Sequence, residues 1–496
     1  MNTSRRTFLQ TSAALAASLP FARLSGAQPG AATTQTGAQR GLFFDDADLP
    51  RIRANLDDPR FAEIREQVYG LDHAAARRFL RDELRLNDHV TDFARARALL
   101  EHAALSHKLR GDAESLETAT LALQRLVDYP RWDYFLEGGR HVIGLQRAPE
   151  GTIAVCCALD WIGDKLPPAL VAQAERDLGA KGAPACYTTL YGMKYPDRVR
   201  GWSFHPEQSI PMKIDFRRWP IILNATNLKI IPTAALGMAA VWLQGRHPEA
   251  NKWLEMSRQS AQSFAIMYGA DGSYDEGVGY WGYTTMHLAM LADVLHRRLG
   301  IDDRKLIDYP GSVRFALSMA SPTAGDLVVD PNEKAAYNAV PKGSLDPRHD
   351  LVNFGDGGTA IDVSVAAWVA RNAGDPLSQY VARNTGVLKH YHAAFWYHRD
   401  LPATPPTTAL HDVRLSNDWV ISRTGWEAAD TVVAFRSGGP ANHEHADRNS
   451  VLFKAYGERL FNDPFKAAYV PDHPRWVLRL TEGHTAVLIG GKGHQY

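Results

Sequence analysis

The stretch Leu401-Pro402-Ala403-Thr404-Pro405-Pro406-Thr407-Thr408 divides the chain into two unlike halves. Each proline lacks a backbone donor and pushes the residue before it out of the helical region, so no helix runs through here. Residues 401–409 therefore read as a linker. Before it, apolar side chains recur at helical spacing over 91–110, 113–128, 149–162, 168–179, 229–244, 250–268 and 285–299. Gly and Pro punctuate this part, as at Pro130, Pro167-Pro168, Pro248 and Gly300. Helix pairs over so long a segment suggest a toroid or solenoid rather than one bundle. After the linker the period shortens. Trp419-Val-Ile-Ser, Thr431-Val-Val-Ala-Phe, Ser450-Val-Leu-Phe-Lys-Ala-Tyr, Arg459-Leu-Phe and Thr485-Ala-Val-Leu-Ile read as strands, separated by glycine turns. The expectation is an α+β multidomain chain, helical over 45–400 and antiparallel β over 410–496. About five strands leave a face or edge uncovered, so the β domain is expected to be C-terminally truncated.

The first residues read as a targeting signal. Ser4-Arg5-Arg6-Thr7-Phe8-Leu9-Gln10 is a twin-arginine pattern, and Ser25-Gly26-Ala27 resembles a small-x-small cleavage site. Residues 1–27 are thus expected to be a Tat-type signal, which implies a periplasmic or secreted protein. The intervening apolar stretch is short and broken by Ser18, Pro20 and Arg23, which argues against a stable membrane anchor. Residues 28–44 are expected to be a flexible leader.

Composition bounds the function loosely. In 496 residues, 45% are hydrophobic and 22% charged, an ordinary globular balance. Lys+Arg and Asp+Glu are each 55, which argues against a nucleic-acid partner but leaves room for a local basic cleft. Cys156, Cys157 and Cys186 lack metal-ligand spacing and read as small buried residues. Oligomeric state is not legible.

The densest group of chemically capable residues is Gly439-Pro-Ala-Asn-His443-Glu-His445-Ala-Asp447-Arg-Asn-Ser450. In an extended segment His443 and His445 would share a face. Asn462-Asp463-Pro464 and Gly483-His484-Thr485 follow at strand ends. Any one of these histidines alone is an ordinary polar loop residue. Together, His445, Asp463 and His484 form a nitrogen and oxygen donor set that suits Zn²⁺, and no organic cofactor is implied.

The patterns His443-x-His445-x-Asp447-x-x-Ser450 and Gly457-x-x-Leu460-x-x-Asp463-Pro464, with the later His484, resemble the β domain of the heparinase II/III-like polysaccharide lyases, a family of alginate lyase and heparinase types. The resemblance implies an N-terminal incomplete (α/α) toroid joined to an antiparallel β-sandwich. It extends into the helical half. Gly269-Ala-Asp271-Gly-Ser-Tyr274-Asp-Glu276-Gly-Val-Gly-Tyr280-Trp-Gly-Tyr283 is similar to the family's D-G-x-x-x-E-G-x-x-Y segment, whose tyrosine is catalytic. Trp219-Pro-Ile-Ile-Leu-Asn224-Ala-Thr-Asn227 precedes a small-residue helix, where the family places an Asn or His. By this resemblance Tyr280 is catalytic and Asn224 neutralises the substrate carboxylate, with Asn227 the alternative because the register is ambiguous. Thr485 departs from the family, which carries Asn after the histidine.

These residue types suit β-elimination from a uronate polymer. Removing the proton at C5 builds negative charge on the adjacent carboxylate, which an amide donor stabilises. A base must reach C5 and an acid the bridging oxygen. Tyr280 is assigned as acid, and as a candidate base for one C5 epimer. His443 is assigned as base for the other. The metal would be mainly structural, holding the loop that presents His443. Arg218, His205, Tyr283 and Trp281 are candidate substrate contacts, and Trp396 a weaker one. Asp356, in Phe354-Gly-Asp-Gly-Gly358, reads as a turn residue. Two other readings compete: a toroid-type glycoside hydrolase using Glu276 and Asp271, and a protein that binds acidic polysaccharide without cutting it.

Overall fold

The computed structural model describes residues 40–208, 216–324, 351–352, 354–356, 361–439, 443–463, 467 and 472–494, without the side chains of Arg217 and Arg475. The export signal, most of the leader and Pro464 lie outside the described residues. Leu42, Phe43 and Phe44 are buried against the helical core. Phe44 lies 6.1 Å from Trp161 and 4.7 Å from Phe395 between ring centroids. The leader expected over 28–44 is therefore packed at its last residues.

Each expected helix is present, with ends shifted by a few residues: Asp92–Arg110, Ala113–Asp128, Arg147–Ile162, Pro168–Asp177, Ile230–Trp242, Ala250–Phe264 and Val278–Leu299. The first two pack on each other across a tight joint. Gly111 ends one in the left-handed region at φ 75°, and the Asp112 side chain accepts from Ser115 N (2.8 Å) to cap the next. Ile230–Trp242 is buried along almost its whole length and is packed by Arg147–Ile162, Ala183–Lys194, Ala250–Phe264 and Val278–Leu299. Its small residues allow that approach. A Cβ on Gly237 would lie 2.3 Å from Leu291 Cδ1 and 2.6 Å from Ser257 Oγ. Paired helices continue through Tyr309–Ser318, Ser364–Ala373 and Pro376–Asn384, completing a helical half of the incomplete-toroid kind. Cys156, Cys157 and Cys186 are buried and free, as read from the sequence. Among the described residues, no helix is long and apolar enough to cross a membrane.

One element inside the helical half was not expected. β1 (Phe135–Glu137), β2 (His141–Ile143) and β3 (Trp202–Phe204) form a small antiparallel sheet in the order β2-β1-β3. Three-residue strands are too short to show a period against flanking helices. The linker is also not free: Arg383 donates to the Leu401 carbonyl (3.0 Å), and Thr404 N donates to Pro376 O (3.0 Å).

Beyond it, β4 (Asp412–Arg414), β5 (Trp419–Arg423), β6 (Val432–Arg436), β7 (Ser450–Ala455) and β8 (Glu458–Phe461) form one antiparallel sheet in sequence order. Ile421 pairs with Ala434, and Ala434 with Leu452, so these three share the inward face. The strand expected at Thr485–Ile489 is absent. Thr485 O accepts one bond from Val451 N (3.3 Å), and Val487 and Ile489 are largely exposed. Residues 40–496 form one compact unit.

The sheet is fastened to the helices partly by cations on its inward face. Arg423 donates to Ala320 O (2.9 Å) and Ser318 O, just past the Tyr309–Ser318 helix. Lys454 donates to Pro322 O (2.7 Å) and Ala428 O (3.0 Å). Trp419 packs on Phe354 at 5.1 Å. A cation at a helix C-terminus satisfies carbonyls that the helix leaves unbonded. Burial pulls the Arg423 guanidinium down to about 10, so it stays charged at neutral pH. Arg423→Ala is expected to lower stability by about 2–3 kcal/mol, read as a drop in the urea midpoint. An unchanged midpoint would show that these bonds do not hold the sheet.

Candidate functional site

A cleft of about 1020 Å³ opens in the helical half, and Asn227, Tyr280 and Tyr283 are among its lining residues. Tyr280 lies in the first turn of Val278–Leu299, and Asn227 begins the short helical turn Asn227–Lys229. The Thr226 hydroxyl accepts from Leu228 N (3.3 Å), and Asn227 N donates to the buried Glu276 carboxylate (3.0 Å). Glu276 also accepts from the Tyr274 hydroxyl. The Gly269–Tyr283 segment thus positions both ends of the pair, Tyr280 directly and Asn227 through Glu276.

His443 reaches this pair from the β half. Its ring lies flat on Tyr280, with centroids 3.8 Å apart and planes 9° from parallel. Its Nε2 is 3.4 Å from Asn227 Oδ1 and its Nδ1 3.3 Å from Asp356 Oδ2. His443 has φ 62°, so its segment is a left-handed turn and not the extended run expected. The two histidines still converge, through a carboxylate rather than through strand alternation. His445 Nε2 bonds the other oxygen of Asp356 at 2.9 Å.

Asp356 is the residue that sequence reasoning missed. It is fully buried, accepts from Arg479 Nη2 (2.7 Å) and donates its backbone N–H to His443 O (2.8 Å). Burial alone would raise its carboxyl. The hydrogen bonds from His443 and His445 and the Arg479 charge outweigh burial and hold it well below the usual carboxylate range. Gly355 allows the approach: φ is 73°, and a Cβ there would lie 2.4 Å from His443 O. The glycines around Asp356 that suggested a turn were the available signal of close backbone contact.

His445, Asp463 and His484 come together as expected, with one ligand atom from each within 4.8 Å of the others. Their bonding leaves a matched set of buried, unpartnered atoms: His445 Nδ1, Asp463 Oδ1 and His484 Nε2. Each residue's second polar atom is committed, His445 Nε2 to Asp356 and His484 Nδ1 to Asp463 Oδ2 (2.6 Å). Orphaned buried polar atoms are costly. Two imidazole nitrogens and a carboxylate oxygen fit a Zn²⁺ donor set, with outer carboxylates orienting the rings.

The other expected contacts divide. Asn224 is turned away, accepting from Lys229 Nζ (2.8 Å), and Asn227 rather than Asn224 meets His443 and Tyr280. This settles the register ambiguity on geometric grounds. Trp281 and Trp396 are fully buried and offer no sugar platform, since alternation along their helices turns them into the core. Arg218 is exposed beside the cleft wall. His205 is half-buried, its backbone donating to Tyr134 O (2.7 Å), between the lining residues Phe204 and Glu207. The pair needed for a hydrolase is not poised. Glu276 is buried and already an acceptor, and Asp271 is held in a turn by Ser273 N and Ser416 N.

The sequence matches no protein-family model and no curated protein sequence. Among solved structures, it is similar to a heparan sulfate lyase, HepC, from Pedobacter heparinus. The identity is 13% and the TM-score 0.48, over 90% of this chain and 64% of that one. A heparinase III structure aligns at 12% identity and TM-score 0.43, over 89% of this chain and 72% of that one. The chain thus spans less than two thirds of the length of the Pedobacter enzyme.

Beneath the site, Lys229 Nζ donates to Asn224 and to Ser263 Oγ (2.7 Å), and burial pulls its ammonium from 10.5 down to about 8. Between those values the unfolded chain binds more protons than the folded one, so stability rises with pH there. Relative to Lys229→Met, the wild-type protein is expected to gain on the order of 1–2 kcal/mol from pH 8 to 10. Parallel denaturation curves for the two proteins across that range would refute it.

Proposed function

We propose that this protein is a polysaccharide lyase that cleaves a uronate-containing polymer by β-elimination, outside the cytoplasm after Tat-type export. The observation that carries the proposal is Tyr280 stacked on His443 with Asn227 at its Nε2, beside an open cleft. In this reading the Asn227 amide donates to the uronate carboxylate as charge builds there. A carboxylate only accepts, so Asp356 draws the imidazole proton to Nδ1. His443 Nε2 is then left with a lone pair, the form a base requires. Tyr280 gives its proton to the departing C4 oxygen, and its position over the ring makes it the candidate base for the opposite C5 epimer.

A Zn²⁺ held by His445, Asp463 and His484 would supply structural cross-linking at that point. The chain's own residues do the rest. His445 passes its orientation to Asp356, and Asp356 aims His443. Charge positioned around a reacting carboxylate matters more than charge in solvent, because the donors need not reorganise during the reaction.

The test is ultraviolet absorbance of the new C4–C5 double bond on a panel of acidic polysaccharides. Tyr280→Phe and His443→Ala are expected to lower turnover by about 10²–10⁴-fold, and Asn227→Ala by about 10²–10³-fold, with Asn224→Ala much milder. Saturated reducing ends without absorbance would replace elimination with hydrolysis. Metal analysis should find about one Zn²⁺ per chain, lost in His484→Ala together with thermal stability. A metal-free, fully stable wild-type protein would remove the zinc site.

A further inference from the structure

Resting on the lyase reading above, we infer that the cleft is built for a sparsely charged, unsulfated polymer in which each uronate adjoins an uncharged sugar. The first observation is charge. The described lining carries two cations, Arg85 and Arg147, against three carboxylates, Asp88, Glu150 and Glu207. Neither cation is available. Arg147 spends its guanidinium on Glu150 (2.9 Å), His89 O (3.2 Å) and Val90 O (3.0 Å). Arg85 is spent on Asp92 (3.0 Å) and Asp88 (2.5 Å). Arg131 is paired with Glu207 at 2.9 Å. A sulfated chain would have to break these pairs and face the freed carboxylates, and a cleft of one sign repels ligand of that sign.

The second observation is an aromatic wall. Tyr134, Phe135, Phe204 and Trp219 all line the cleft. Tyr134 stacks on Phe135 at 4.5 Å, Phe135 meets Phe204 at 5.1 Å and Trp219 at 6.0 Å, and Phe216 backs both Phe204 and Trp219. Such a surface takes the C–H face of a pyranose and offers nothing to a carboxylate. Polar groups near it are neutral: the Tyr134 hydroxyl donates to Gln146 Oε1 (2.8 Å), and Gln208 donates to Asn87 O (2.6 Å). The small unexpected sheet, which carries Phe135 on β1 and Phe204 on β3, is therefore a subsite for an uncharged sugar beside the uronate held at Asn227.

Calorimetry on the Tyr280→Phe full chain would test this with three oligosaccharides of equal length: unsulfated alternating glucuronate and N-acetylglucosamine, the same backbone sulfated, and an all-uronate oligomer. The alternating unsulfated oligomer is expected to bind at least about tenfold tighter than either, with weak salt dependence. Trp219→Ala should remove that advantage while leaving all-uronate binding unchanged, and Glu150→Gln with Glu207→Gln should improve sulfated binding. Tightest binding of the sulfated or all-uronate oligomer would overturn the inference, and this ranking needs no wall variant to fold. Binding reads the subsite and absorbance reads the chemistry. The expected ranking without absorbance on any polymer would therefore fail the lyase reading alone.

Discussion

One buried carboxylate ties the two halves of this protein together at the candidate site. Asp356 takes His443 and His445 on its two oxygens and Arg479 beside them, all out of contact with water. A carboxylate so placed is tolerable only because it is fully bonded, and removing a partner would leave a charge without compensation. The constraint propagates in both directions. Toward the cleft it fixes the His443 ring that lies on Tyr280. Away from the cleft it fixes His445, whose other nitrogen is turned to Asp463 and His484.

That arrangement depends on how the sheet meets the helices. Inward strand positions that would ordinarily be aliphatic hold Arg423, Arg436 and Lys454, all buried. Arg436 pairs with Asp447 (2.5 Å) inside the His443–Ser450 segment, and Arg423 and Lys454 bond carbonyls following the Tyr309–Ser318 helix. Apolar contact such as Trp419 on Phe354 supplies area without direction. The hydrogen-bonded cations supply direction, since each fits only where its carbonyls or carboxylate stand. The left-handed turn at His443 is held by the surrounding contacts, a pattern that recurs where a side chain must be aimed.

The helical half was legible where helices were long. Periodicity over 91–110 or 285–299 outlasts local noise, whereas the three-residue strands at Phe135–Glu137 and Trp202–Phe204 have no period to detect. Thr485–Ile489 has strand composition but lacks a partner strand, and composition without pairing is not enough. Trp281 and Tyr283 looked alike in sequence, yet two positions of helical rotation bury one and set the other on the cleft. Neither Asn224 nor Asn227 was distinguishable by type. Lys229, five residues beyond Asn224, takes up that side chain and leaves Asn227 to face the histidine.

The sequence by itself determined the order of a helical half and a β half. It also marked the donor trio His445, Asp463 and His484, and singled out Tyr280 and His443. These are properties of period, spacing and residue chemistry, which are local. Only the tertiary structure decided that Asp356 is the hub, that Asn227 is the amide at the site, and that an aromatic wall with neutralised charges lines the cleft. Those facts join residues about 50 to 220 positions apart, such as Asn227 and His443, Asp356 and Arg479, or Phe135 and Trp219. No pattern along the chain encodes contacts at that range. They follow from which surfaces bury against each other once the helices and the sheet have packed.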